Sequence, residues 1–183
     1  MAKKLPKIIT QEEFELLFSE ASKLEKKAKG KNRKLRIKKY RIAMLLGFEA
    51  GMRISEIVGY IDKVPPLTKK NVEQASIRIE QGKGQKDRIV PRPKRLNENA
   101  LNLLPLDIPR RSLQNFVEQL GEKILNKKIS FHTLRHGFGS HLAGQGRPLH
   151  EIQMLMGHSR LDTTGVYLHA NPKQAIESAR EVF

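Results

Sequence analysis

A change of hydrophobic period in the middle of the chain constrains its fold most. On either side, apolar residues recur at helical spacing; from Leu67 to Pro91 they alternate instead. Pro65 and Pro66 end the first helical pattern, because proline lacks a backbone donor and its ring clashes with the preceding turn. Ile77 and Ile79 alternate with Ser76, Arg78 and Glu80, and Ile89 and Val90 lie beyond Gly82-Lys-Gly-Gln-Lys-Asp87. This pattern predicts two antiparallel strands joined by a Gly-rich, cationic turn, with a third strand near Lys69 to Val72. The chain therefore reads as α+β, a compact and mainly α-helical domain with one small antiparallel sheet.

The flanking helices have local signals of their own. Thr10-Gln-Glu-Glu13 is a capping box, with Thr10 as N-cap and Glu13 three residues on, and Phe14, Leu17, Phe18, Ala21 and Leu24 follow at helical spacing. A second helix is expected from about Leu35 to Ala50, burying Tyr40, Ala43, Met44 and Phe48, with Gly51 as its stop. Arg53 opens a third, short helix through Ile54, Ile57 and Val58. After Pro93 the pattern predicts short helices at about Asn97 to Leu104, Arg110 to Asn126, His132 to Ala143, Leu149 to Met156 and Thr163 to His169, then a tail from Pro172.

Charge narrows the class of partner. Lys and Arg number 35 against 19 Asp and Glu, a formal net charge of +16. Such an excess suits a polyanion, because cations that neutralise phosphates release condensed counterions. The stretch Lys26 to Lys39 holds much of it, as either a solvated helix-loop face or a surface that tracks nucleic acid. No long apolar run, signal-like segment or lipidation motif is present, so a cytoplasmic protein with no membrane partner is expected. With no cysteine, disulfides, thiolate zinc sites and cysteine nucleophiles are excluded.

Six residues suit phosphate chemistry. Arg53, Lys83, His132, Arg135 and His158 supply two guanidiniums, an ammonium and two imidazoles, and Tyr167 supplies a phenol. His132 and Arg135 lie three apart at the start of a predicted helix, where an anion meets the positive end of the helix dipole. His158 follows Gly157 at a helix end. A phenol with a pKa near ~10 is mostly protonated at neutral pH, and it becomes a nucleophile only where cations stabilise the phenolate and the transition state. The histidines show no His-Glu-x-x-His pattern, and the carboxylates are not grouped for two metals, so neither metal nor cofactor is expected.

Four segments in order, Ala50-Gly-Met-Arg-Ile-Ser-Glu56, Gly82-Lys-Gly-Gln-Lys-Asp-Arg88, His132-Thr-Leu-Arg-His136 and Met156-Gly-His-Ser-Arg-Leu-Asp-Thr-Thr-Gly-Val-Tyr167, resemble the successive motifs of the catalytic domain of tyrosine recombinases, the family of phage integrases and Xer proteins. Leu5 to Phe14 resembles the start of that domain. The resemblance implies a domain that breaks and rejoins double-stranded DNA through a 3′-phosphotyrosyl link, without metal or ATP. It implies that Arg53 and Arg135 clamp the scissile phosphate, Tyr167 attacks phosphorus, and Lys83 protonates the leaving 5′-oxygen. His132 then assists proton transfer at the nucleophile, and His158 donates a hydrogen bond to the phosphate. Lys86 shares the turn with Lys83 as an alternative acid, and Glu56 is expected to be a structural partner for a cation.

The resemblance also sets expectations for assembly. Residues 1–183 are expected to form a single catalytic domain without the N-terminal core-binding, DNA-clamping domain that family members carry, either an excised piece or a short recombinase. The protein is expected to be a monomer in solution and a tetramer on paired DNA sites. Two other functions fit the same residues: DNA relaxation of the type IB topoisomerase kind, and a non-catalytic DNA-binding accessory role.

Overall fold

The structure is a computed structural model that describes residues 8–61, 63–80 and 87–157. Helices α1 (Gln11–Lys27), α2 (Lys31–Glu49) and α3 (Ile54–Val58) precede a two-stranded sheet, β1 (Ser76–Ile79) and β2 (Arg88–Pro91). Helices α4 (Glu98–Leu101), α5 (Arg110–Leu125), α6 (Phe131–Gly144) and α7 (Leu149–Met156) follow. The architecture is mainly helical with one small antiparallel sheet, as the period change predicts.

Helix α1 begins where its capping box places it: Thr10 Oγ1 accepts the Glu13 N–H and Glu13 Oε2 accepts the Thr10 N–H, each at 3.2 Å. Helix α2 starts at Lys31, four residues before the expected Leu35. Residues 31–36 are exposed and carry no apolar stripe, yet Lys and Arg are good helix formers and extend the helix back to Gly30. Tyr40, Ala43, Met44 and Phe48 are all buried, and α2 runs through the centre of the core.

Close contact between α2 and α6 depends on small residues facing rings. A Cβ at Gly47 would stand 2.8 Å from the Phe131 ring, and one at Gly137 2.6 Å from the Phe48 ring. Phe48 in turn stacks on Phe14 of α1, with centroids 4.1 Å apart. Gly51 ends the α2 region with φ of +62° under the Phe138 ring, so both backbone conformation and space call for glycine there.

The sheet pairs Ile77 with Val90 and Ile79 with Arg88. Ile77, Ile79 and Val90 face the core together with Arg88, while Ile89 points outward at 58% exposure. The third strand expected near Lys69 to Val72 is absent: Lys69–Asn71 form one 3₁₀ turn, and only Val72 bridges to Ile77. Asn71 closes that turn by accepting from both the N–H and the hydroxyl of Thr68, at 3.0 and 2.6 Å. A side chain that satisfies local backbone in this way competes with strand pairing.

Candidate active site

Helix α6 places the His-x-x-Arg pair. Ser130 caps it by accepting the Thr133 N–H at 3.3 Å, and Thr133 Oγ1 accepts the Ser130 N–H at 3.0 Å. The Phe131 N–H donates to Gln114 Oε1 at 3.0 Å, which ties the helix start to α5. His132 is exposed, and Arg135, one turn on, is 1% exposed. The pair therefore shares a face at different depths. Arg135 Nη1 donates to the Gly51 carbonyl at 2.5 Å, and its Nη2 donates to the Met156 carbonyl.

Arg53 stands at the start of α3, two residues beyond Gly51. Its Nη1 donates to Glu56 Oε1 at 2.8 Å, its backbone N–H donates to Glu56 Oε2 at 2.7 Å, and its Nη2 donates to the Gly157 carbonyl at 3.1 Å. Glu56 also receives Arg88 in a two-point pair, Nη1 to Oε1 at 2.6 Å and Nη2 to Oε2 at 2.7 Å. Both Glu56 and Arg88 are buried. Burial alone would raise the Glu56 carboxyl; hydrogen bonds and charge from Arg88, followed by the backbone N–H and charge of Arg53, outweigh it and hold the group below its ordinary value.

These contacts converge on the end of α7. Three successive carbonyls, of Leu155, Met156 and Gly157, accept from Arg88 Nε (3.0 Å), Arg135 Nη2 and Arg53 Nη2 respectively. Helix C-termini leave carbonyls without intrahelical partners and carry the negative end of the dipole. Here three guanidiniums from three different elements meet both demands. Helix α7 is held in place by Ile152 and Met156, which pack with Phe138 of α6 in a small apolar cluster.

Two neighbouring imidazoles, His132 and His136, are biased towards the neutral form. Partial burial first, then the charges of Arg135 and Arg53, lower the His132 pKa. His136 stands edge-on to it, with ring centroids 4.4 Å apart. Burial, followed by His132 and Arg135, lowers His136 to about 4. A neutral His132 has an acceptor nitrogen beside two guanidiniums, the state in which an imidazole takes a proton.

The structure thus brings together Arg53, His132 and Arg135 of the six predicted residues. Lys83, His158 and Tyr167 lie outside the described residues, as do Lys86 and His169. Glu56 is the structural partner expected, serving two cations. Arg88 was not singled out by sequence reasoning; the available signal was its period-two relation to Val90, which places a guanidinium on the inward face of β2. Among the described residues, no group of three or more His, Asp or Glu is placed to hold a metal ion. No helix among them is long and apolar enough to cross a membrane.

Comparisons with known proteins bear on the family and the fold. The model of the phage integrase family matches residues 106–174. A tyrosine recombinase of Thermosipho africanus is 27% identical over 98% of the chain and 63% of its own length. Tyrosine recombinase XerA of Thermococcus kodakarensis is 32% identical over 89% of the chain and 58% of the relative. XerD of Staphylococcus epidermidis is 31% identical over 73% of the chain and 51% of the relative. The chain therefore spans between about half and two thirds of the length of these relatives.

Among solved structures, the XerH site-specific recombinase bound to its difH substrate superposes with a TM-score of 0.70 at 23% identity, covering 94% of the chain and 53% of that protein. The catalytic domain of bacteriophage HP1 integrase superposes with a TM-score of 0.59 at 20% identity, covering 94% of the chain and 93% of that domain. The fold is that of a tyrosine recombinase catalytic domain.

Proposed function

The chain belongs to the phage integrase family of tyrosine recombinases, and from that premise we propose that it is the strand-cleaving and rejoining domain of a site-specific DNA recombinase. The observation that carries the reading is the meeting of Arg53 and Arg135 at adjacent carbonyls of one helix end, with a neutral His132 beside them. Two guanidiniums at such spacing suit the non-bridging oxygens of one phosphate.

In this reading a phosphate oxygen, a stronger acceptor than an amide carbonyl, competes for the guanidinium N–H groups when DNA binds. Arg135 is buried, so in this reading its Nη2 gives up the Met156 carbonyl to reach the phosphate. Tyr167 attacks phosphorus, His132 takes the phenolic proton, Lys83 protonates the leaving 5′-oxygen, and His158 donates to the phosphate. The bond from phosphorus to tyrosine oxygen replaces the bond to the 5′-oxygen. Attack by a partner strand's 5′-hydroxyl reverses the exchange and releases the phenol. Phosphodiester energy is conserved in the link, so the reaction calls for no ATP and, with these cations, no metal. The partner is double-stranded DNA, bound by a protein that is monomeric alone and tetrameric on paired sites.

A randomised pool of duplexes, each nicked so that the cleaved strand loses a short fragment, tests this. The wild-type chain should form adducts that survive denaturation, and sequencing them reads out the preferred site. Tyr167→Phe should give none while still binding DNA. Binding without adducts in the wild type would favour a non-catalytic accessory role, and plasmid relaxation without recombinant products would favour a relaxing enzyme.

A further inference from the structure

We propose that Arg88 is a positioning residue for cleavage: by occupying both oxygens of Glu56 it keeps that carboxylate from neutralising Arg53, and so preserves the positive charge that Arg53 brings to the scissile phosphate. This inference rests on the recombinase reading above.

The geometry supplies the argument. Glu56 meets Arg53 and Arg88 at once, but not equally. Arg88 approaches in fork geometry with Nη1 and Nη2 on separate oxygens at 2.6 and 2.7 Å, the arrangement in which a guanidinium pairs best with a carboxylate. Arg53 reaches only Oε1 with its side chain and spends its backbone N–H on Oε2. Its guanidinium is about one third exposed, whereas the Arg88 and Glu56 side chains are 6% and 3% exposed. The exposed cation is thus the one a ligand can reach, and the buried one is the carboxylate's principal partner.

This division matters through net charge. Arg53, Glu56 and Arg88 together carry one net positive charge. Without Arg88, Arg53 and Glu56 alone sum to zero, and at this separation and low exposure a compensating carboxylate cancels much of a cation's pull on an anion. Arg88 further donates Nε–H to the Leu155 carbonyl at 3.0 Å and lies against Gly157. The same side chain that balances Glu56 thereby sets the position of the helix end that Arg53 touches. Arg88 also begins β2, so one residue joins that strand to Glu56 and to the end of α7.

The test uses the full chain and a nicked duplex of the sequence recovered from the pool, synthesised with either a phosphodiester or an uncharged methylphosphonate at the scissile position. Arg88→Met should slow adduct formation on the phosphodiester by about ten- to a hundredfold, and on the methylphosphonate by no more than about threefold, because only the first substrate presents the charge that Arg53 attracts. Glu56→Gln in the Arg88→Met background removes the neutralising charge and should recover about tenfold on the phosphodiester, a non-additive pair. Arg88→Lys, which keeps the charge without the fork, should be faster than Arg88→Met.

Equal slowing on both substrates would reduce Arg88 to a residue that holds the fold, and a double variant no faster than Arg88→Met would overturn the charge argument. Circular dichroism identifies any variant that fails to fold. If Arg88→Met does, the double variant, which buries neither charge, decides alone: it should cleave the phosphodiester within about tenfold of wild type. Slower cleavage than that would overturn the proposal. Absence of adducts with the wild type itself would instead remove the recombinase reading on which this inference stands.

Discussion

Gly157 lies directly against the side chain of Arg88: a Cβ at position 157 would stand 2.8 Å from Arg88 Cδ, and the residue has φ of +60°. Conformation and space therefore both demand glycine at the point where Arg53 finds its carbonyl. Gly157→Ala should cost about 1–3 kcal/mol, combining left-handed backbone strain with displacement of a buried guanidinium. Urea denaturation measures the loss, and adduct formation should slow as well because Arg88 and Arg53 both shift.

Removing the partner of a buried charge is costly in a different way. Glu56→Ala leaves Arg88 buried without the carboxylate that compensates it, and a loss of about 3–5 kcal/mol is expected. A decrease below ~1 kcal/mol in equilibrium unfolding would show that water or another group replaces the carboxylate at no cost.

Acid should weaken the fold through His136. Its folded-state pKa is lowered from 6.5 to about 4, so the unfolded chain takes up the proton first as pH falls. The stability it contributes is complete above 6.5, declines below that, and is lost through about 4. Wild type should lose on the order of 2 kcal/mol more than His136→Gln across this window, a discount on the full shift because the ring is partly exposed. Glu56, lowered from an ordinary 4.5, adds its own loss at still lower pH. Denaturation curves at closely spaced pH values in both proteins check the difference.

The seam between α2 and α6 tolerates little added volume. Gly47→Ala places a methyl group 2.8 Å from the Phe131 ring at the start of α6, and overpacking of this kind costs about 1–3 kcal/mol. Phe131→Leu in the same background should return part of that loss in thermal melts if the ring is the obstacle.

Single cations in the basic run and at the site should separate kinetically. Arg135→Ala should slow cleavage by roughly 10²–10³-fold, as expected for loss of a preorganised donor to a charged transition state. Replacing any one exposed lysine between Lys26 and Lys39 should change cleavage less than about threefold and, where it meets phosphate, lower the salt slope of DNA binding by about one. Comparable losses from both would mean that general charge accounts for the effect of Arg135.

What the sequence made legible was local. The capping box at Thr10 and Glu13, the span of α7 and the buried face of α2 depend on neighbours within two turns, and each was readable from spacing. The charge network at Glu56 was readable only in outline, because Arg88 is 32 positions away and its inward direction depends on pairing Ile79 opposite Arg88. Between Ile89 and Val90, adjacent apolar residues of one strand, only one can face the core, and tertiary packing chose Val90. Near Thr68 the reverse held: a strand was expected near Lys69 to Val72, while the side chain of Asn71 offered the backbone a nearer partner. Arg135 was placed correctly on its helix face, but its depth beneath His132 came from Gly51 and Met156, which no local pattern connects to it.

The ending of α7 makes helix termination and site assembly a single event. Most helices fray at their last turn at little cost, since water takes over the loosened carbonyls. Here each carbonyl that loosens releases a different guanidinium, one from α3, one from β2 and one from α6. Unravelling one turn would therefore scatter the three gathered guanidiniums along with the helix end. The last turn of α7 should accordingly exchange its amide hydrogens as slowly as the core rather than at the rate of a chain end, despite its place at the surface.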